Sequence, residues 1–173
     1  MLQLLRSGSL ATLKRGPNPR VLASVRFFSS EDKKAKGIPY SQLTVGIPKE
    51  RFPLEKRVAA TPESVQRLVK PGFSVLIEDG AGDSSYFSNA DYEAAGAKIV
   101  PADQVWKESD IVLKLRPPTP EEVTSLEDRT LISFLLPKPN EDLVKQLEAQ
   151  KATAFAMDCI PRTLSRGQTY DAL

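Results

Sequence analysis

Three groups of side chains in this 173-residue sequence have the chemistry for a ligand site. The first is the charged run PKERFPLEKR (48–57), which ends at Arg57 and passes straight into Val58-Ala59-Ala60. Those small residues press the backbone against the domain, so a guanidinium at Arg57 can clamp a carboxylate bidentately, whereas Lys49 and Lys56 read as solvated loop charges. The second is Lys114, a lysine inside the otherwise apolar IVLKL (111–115). A buried ammonium needs a partner, so it either reaches into a cleft or pairs with an acid from elsewhere in the chain. The third is Arg162, Gln168 and Asp171, within PRTLSRGQTYDAL (161–173). Arg and Asp can pair, and Gln offers both a donor and an acceptor. That composition suits a carboxamide or another neutral polar ring substituent, and it equally suits a solvated tail.

Composition removes several other chemistries. There is no histidine, and with it go the commonest general base and the commonest metal ligand. One cysteine, Cys159, allows neither an internal disulfide nor a thiolate cluster, so no metal site is expected. The formal charge of +2 hides an asymmetry, because residues 1–28 carry Arg6, Lys14, Arg15, Arg20 and Arg26 and no acid. Removing those five positive charges leaves −3 for the remainder. A weakly acidic body argues against nucleic acid as a partner. No apolar run approaches the roughly 20 residues that cross a bilayer, so no transmembrane segment is expected in this chain.

Beyond Leu43 the hydrophobic periods alternate. LTVGIP (43–48), FSVLIED (73–79), KIV (98–100), DIVLKLR (110–116), TLISFLL (130–136) and ATAFAMD (152–158) have strand character. Between them, TPESVQRLVK (61–70) opens with Thr61 as N-cap and Pro62 at the first helical position. SNADYEAAG (88–96) is a short helix closed by Gly96, and ADQVWKES (102–109) makes a helical turn or two. TPEEVTSLED (119–128) has a Thr119/Glu122 capping box, and NEDLVKQLEAQ (140–150) is a further helix. This alternation predicts one α/β domain of Rossmann or flavodoxin type, a mainly parallel sheet of about six strands with helices on both faces. Such sheets bind ligands at the carboxyl ends of their strands, the edge that all three candidate groups share. The one stretch resembling a dinucleotide fingerprint, GAGDSS (80–85), has Ser85 at its third glycine position and Asp79 and Asp83 beside it. It reads as a glycine-rich turn.

The first thirty residues are basic, contain serine and lack acids. Residues 1–28 read as a mitochondrial transit peptide, with Arg26-Phe27-Phe28-Ser29 as a processing site, and residues 29–42 as a charged linker. A plastid address is the alternative.

VGIPKE (45–50), EKRVAATPESVQRLVKPGFSVLIEDGAG (55–82), DIVLKLRPP (110–118), LISFLLP (131–137) and AMDCIPR with SRGQTYDAL (156–173) together resemble one family. It is the amino-terminal domain shared by alanine dehydrogenases and proton-translocating NAD(P) transhydrogenases, and the resemblance covers 43–173. In the dehydrogenases the residues at positions 57 and 114 hold the substrate carboxylate and carbonyl. A histidine just after the F-L strand serves as acid/base there, and here that place is Leu136, followed by Pro137. The transhydrogenases carry an Arg-Gln-Asp loop that contacts the nicotinamide of NAD(H). Arg162, Gln168 and Asp171 match it, with the Arg-to-Gln interval one residue longer.

The resemblance therefore implies the amino-terminal part of a transhydrogenase, which passes hydride between NAD(H) and NADP(H) coupled to proton translocation, without a metal. Its implied partners are the Rossmann, membrane and NADP-binding domains of the same enzyme, with a homodimer as the assembly. Together with the address, this places the domain on the matrix side of the mitochondrial inner membrane. On this reading 43–173 is a domain truncated at its C-terminal end, and the chain alone is expected to be inactive. An alanine-dehydrogenase-like oxidoreductase acting on a 2-oxo acid, or a non-catalytic partner-binding module, are the alternatives.

Overall fold

Side-chain caps start three of the helices. Thr61 Oγ1 accepts the Ser64 amide at 3.3 Å, and Pro62 occupies the first position of α1 (Pro62–Val69). Ser88 and Asp91 form a reciprocal capping box for α2 (Asn89–Ala94), and Thr119 and Glu122 form another for α4 (Pro120–Val123). The remaining helices are α3 (Ala102–Glu108) and α5 (Glu141–Ala149). These elements belong to a computed structural model that describes residues 37–160, in a unit that begins at Gly37.

Six strands form one sheet, every neighbouring pair parallel: β1 (Thr44–Ile47), β2 (Ser74–Glu78), β3 (Lys98–Val100), β4 (Ile111–Leu113), β5 (Thr130–Ser133) and β6 (Thr153–Ala156). Their spatial order is β3-β2-β1-β4-β5-β6, so the chain reverses its direction of growth between β1 and β4. The period of two along each strand divides the core between two faces. Ile47, Val75 and Ile77 pack with Val65 of α1 and Tyr92 of α2 on one face. Leu76 meets Val105 of α3 on the other, where Trp106, Val112, Leu131 and Leu147 extend the core beneath α3 and α5. The predicted α/β architecture, with helices on both faces, is the observed one.

Close approach at β1 depends on a missing side chain. A Cβ on Gly46 would lie 2.0 Å from Ser109 Oγ and 3.0 Å from Val105 Cγ1. The end of α3 therefore rests directly on the β1 backbone. Ser109 itself is buried and satisfied, its hydroxyl donating to the Val105 carbonyl at 2.6 Å. Tyr92 is fully buried and donates to the Ala60 carbonyl at 2.9 Å, which ties α2 to the loop before α1. Burial pushes its phenol up to about 12.

Several elements are shorter than their apolar runs suggest. The strand expected over 110–116 ends at Leu113: the Lys114 amide still donates to the Ile132 carbonyl, but Leu115 and Arg116 both donate to the Glu50 carboxylate. The strand expected over 130–136 ends at Ser133, since the Leu135 and Leu136 amides turn to Asp158. The helix expected over 119–128 stops after Val123, and Ser125 and Leu126 close i−3 turns instead. Within the stretch read as linker, Tyr40–Gln42 form a 3-10 turn, and the Tyr40 ring stacks on Phe73 at 4.6 Å.

Overpacking at the β1–α3 contact sets the first prediction. Gly46→Ala is expected to destabilise the chain by about 2 kcal/mol in urea denaturation. Ser109→Gly in the same chain, which removes the opposing atoms, should restore part of that loss. Additive losses in the double variant would show that the contact is not the cause.

Candidate functional site

The charged loop after β1 and the segment after β4 meet at the switch point, and buried acids hold them together. Glu50 accepts the Leu115 amide at 2.6 Å and the Arg116 amide at 3.3 Å. The Lys114 ammonium lies 3.3 Å from the same carboxylate and 3.5 Å from Glu122 Oε2. The side chains of Lys114 and Glu50 are each 1% exposed. Glu122 also accepts the Thr119 amide at 2.8 Å, so one carboxylate serves both the ammonium and the helix cap. The acid that the Lys114 position demanded is thus a pair, Glu50 and Glu122.

A second set of charges lies on the outer part of the loop. Arg57 donates from Nε to Glu55 Oε1 at 2.7 Å and from NH2 to Oε2 at 2.8 Å, a bidentate clamp on a carboxylate of its own chain. Arg116 Nε donates to the same Glu55 carboxylate at 2.8 Å, and its guanidinium lies over the Phe52 ring at 4.8 Å. The Arg57 guanidinium holds the Glu55 carboxyl down at about 2, with Arg116 adding to the effect against the opposing influence of burial. Arg57 is raised in turn, first by its bonds to Glu55, and the Glu50 charge contributes. The two charge groups therefore belong to one electrostatic neighbourhood.

Glu78, buried at the end of β2, anchors the start of the loop through the Lys49 amide at 2.8 Å and the Arg51 guanidinium. Glu50, Glu55 and Glu78 were not singled out from the sequence. For Glu78 a signal was present: an acid at the carboxyl end of an apolar strand raises the same question as Lys114. Glu50 and Glu55 carried none, since a loop with alternating charges looks the same whether its acids point inward or outward.

The GAGDSS turn is internally committed. Gly80 adopts a φ of +67°, and its amide donates to Asn89 Oδ1 at 3.1 Å. A Cβ on Gly82 would collide with Tyr92 and Phe87. With Asp79 and Asp83 alongside, the turn offers no cradle for a pyrophosphate. Arg162, Gln168 and Asp171 lie outside the described residues. Among the described residues no cluster of three or more His, Cys, Asp or Glu side chains could hold a metal ion, and no helix is long and apolar enough to cross a membrane.

Strand order and the meeting of polar loops at the β1/β4 crevice define a doubly wound α/β domain. The family described as "Alanine dehydrogenase/PNT, N-terminal domain" matches residues 46–173, and the chain belongs to that family. It is 42% identical over 132 residues to the NAD(P) transhydrogenase subunit alpha of Haemophilus influenzae, covering 76% of this chain and 25% of that protein. It is 39% identical over 134 residues to the alanine dehydrogenase of Bacillus subtilis, covering 76% of this chain and 34% of that protein. The crystal structure of a transhydrogenase from Sinorhizobium meliloti superposes with a TM-score of 0.69 at 36% identity, over 73% of this chain and 38% of the other. The chain thus spans about a quarter to two fifths of the proteins it matches.

Two outcomes are expected from the ion pairs. Lys114→Met takes the shared ammonium from Glu50, which is buried, and Glu122, which is largely so, and should cost about 3 kcal/mol in urea denaturation. Lys114→Met combined with Glu122→Gln should recover part of it; no recovery would mean that Glu122 is not a partner. For Glu55, a carboxyl held at about 2 rather than 4.5 stabilises the fold fully above pH 4.5 and loses that contribution as pH falls through about 2. Glu55→Gln should therefore cost about 2 kcal/mol at pH 7, with the gap to the native chain closing on acidification. A gap that is unchanged at acid pH would refute the assignment.

Proposed function

We propose that this chain is the amino-terminal, NAD(H)-side domain of a proton-translocating NAD(P) transhydrogenase. The observation that carries the choice over alanine dehydrogenase is at the turn after β5. Where the resemblance puts the dehydrogenase acid/base histidine stands Leu136, and the sequence contains no histidine elsewhere. Direct hydride transfer between two nicotinamides needs no acid/base at the reacting carbon, whereas deamination does. The paired state of Arg57 and Lys114 supports the same choice. Each is engaged by carboxylates of the chain itself, and a 2-oxo acid would have to displace or share them.

In the proposed enzyme Arg162, Gln168 and Asp171 contact the nicotinamide end of NAD(H), while Arg57 and Lys114 organise the loops behind it. The GAGDSS turn offers no pyrophosphate cradle, and in the proposed enzyme the phosphates are held by another domain. That enzyme also supplies the membrane and NADP-binding domains and assembles as a homodimer. Residues 1–28 are its mitochondrial transit peptide and 29–42 a linker, which puts the domain on the matrix side of the inner membrane.

The test exchanges residues 43–173 for the matching stretch of the Haemophilus influenzae alpha subunit. The chimaera is expected to transfer hydride between NADH and an NADP analogue. Arg162→Ala should raise the KM for NADH about tenfold. The same stretch placed in the Bacillus subtilis alanine dehydrogenase is expected to give no pyruvate-dependent NADH oxidation. The reverse pattern would favour the dehydrogenase reading. The 173-residue chain alone should transfer no hydride, and micromolar NADH affinity by calorimetry would contradict the division of labour proposed here.

A further inference from the structure

The two halves of the sheet are not equally covered. On the face that carries Ile47, α1 and α2 pack over β1, β2 and β3. Right-handed crossovers put their helices on one face while the chain moves one way across a sheet, and on the other face when it moves back. α3, α4 and α5 all belong to the return run, and that part of the chain buries Val112 and Leu131 on the opposite face. The Ile47 face of β4, β5 and β6 therefore receives no crossover helix from the described residues.

Strand pairing fixes what this face presents. Leu113, Ile132 and Phe155 stand in one row across the three strands, and Ile111, Thr130 and Thr153 in the next. Leu113 packs against the Ile47 cluster, which identifies the side. None of the six residues is charged. Ile111, Leu113 and Ile132 are half-buried, and Phe155 on the edge strand is 55% exposed. On the reverse side Val112 and Leu131 have no exposure at all. Parallel sheets occur almost only with both faces covered, so an apolar row open to water is a seat without its occupant.

Size limits what the seat can hold. Three strands about 4.8 Å apart and about four residues long offer roughly 200 Å². A stable dimer takes about 800 Å² from each partner, which this row falls well short of. One helix of about ten residues is roughly 15 Å long and about 10 Å wide, which matches the row. The stretch shared with the Haemophilus influenzae alpha subunit is 25% of that protein, so such an enzyme has ample further chain to supply a helix.

We infer that the Leu113–Ile132–Phe155 row seats an amphipathic helix with an aliphatic stripe, supplied by the same subunit from outside residues 43–173. The inference rests on the function proposed above, which makes this chain one domain of a longer protein.

Photo-crosslinking from position 155 tests it, with Phe155→p-benzoyl-phenylalanine placed in the Haemophilus influenzae chimaera. The expected product has the size of one subunit on a denaturing gel. Its crosslink lies in a peptide outside the exchanged stretch, at apolar residues spaced three or four apart. A product of two-subunit size, a crosslink confined to residues 43–173, or no product overturns the inference. In the 173-residue chain the same substitution should leave the urea midpoint unchanged. A lowered midpoint would mean that position 155 is already packed, which also overturns it. Thiol labelling gives an independent reading. Phe155→Cys with Cys159→Ser, followed on the labelled peptide, should react with a maleimide about tenfold more slowly in the chimaera than in the 173-residue chain. Equal rates overturn the inference. Hydride transfer by the chimaera decides the proposed function separately, so either reading can fall alone.

Discussion

Lys114 puts an ammonium at a place with almost no access to water, between the carboxylates of Glu50 and Glu122. Burying such a charge is costly, and paired burial often does no better than an apolar substitute of the same volume. Its value here lies in what the partners also bind. Glu50 takes two amides of the β4 segment, and Glu122 caps the next helix. One ammonium thereby fixes the relative position of two loops from opposite sides of the switch point. The Arg57–Glu55–Arg116 set and the Arg51–Glu78 pair continue the same pattern outward, with acids buried beneath cations that are partly exposed.

That arrangement explains why the edge is polar without being a ready-made anion site. Guanidinium and ammonium groups at the mouth of an α/β sheet normally suggest a substrate carboxylate. In this chain the carboxylates are already present: Glu55 two positions from Arg57, Glu122 eight positions from Lys114, and Glu50 and Glu78 from loop and strand across the sheet. Family membership fits both kinds of relative, and it is the chemistry at single positions, above all Leu136, that separates them.

Much of the fold was legible because its signals are local. The Thr61-Pro62 start, the Thr119/Glu122 box and the six apolar runs act within a few residues, and each appears where expected. The strand ends were not legible. Leu115, Arg116, Leu135 and Leu136 are apolar or amphipathic enough to continue their strands, and only carboxylates 22 to 66 residues away draw their amides out of the ladder. The site followed the same division. Lys114 announced itself as a charge in an apolar strand, but its partners, and the role of Asp158, depend on chain crossings that no spacing encodes. Arg162, Gln168 and Asp171 rest on motif likeness alone.

The contact between Gly46 and Ser109 has a consequence for how change spreads through this domain. Ser109 is followed at once by Asp110, whose carboxylate accepts the Thr44 amide and whose own amide donates to the Thr44 carbonyl. Any side chain at position 46 would thus be felt first at the root of β4 rather than on β1. Because Lys114 directly follows that short strand, a displacement entering at its root has only a few residues in which to dissipate. A methyl group added far from any charged loop would then act as a wedge under the switch-point ion pairs. The tolerance of the polar edge is set by the thickness of one glycine.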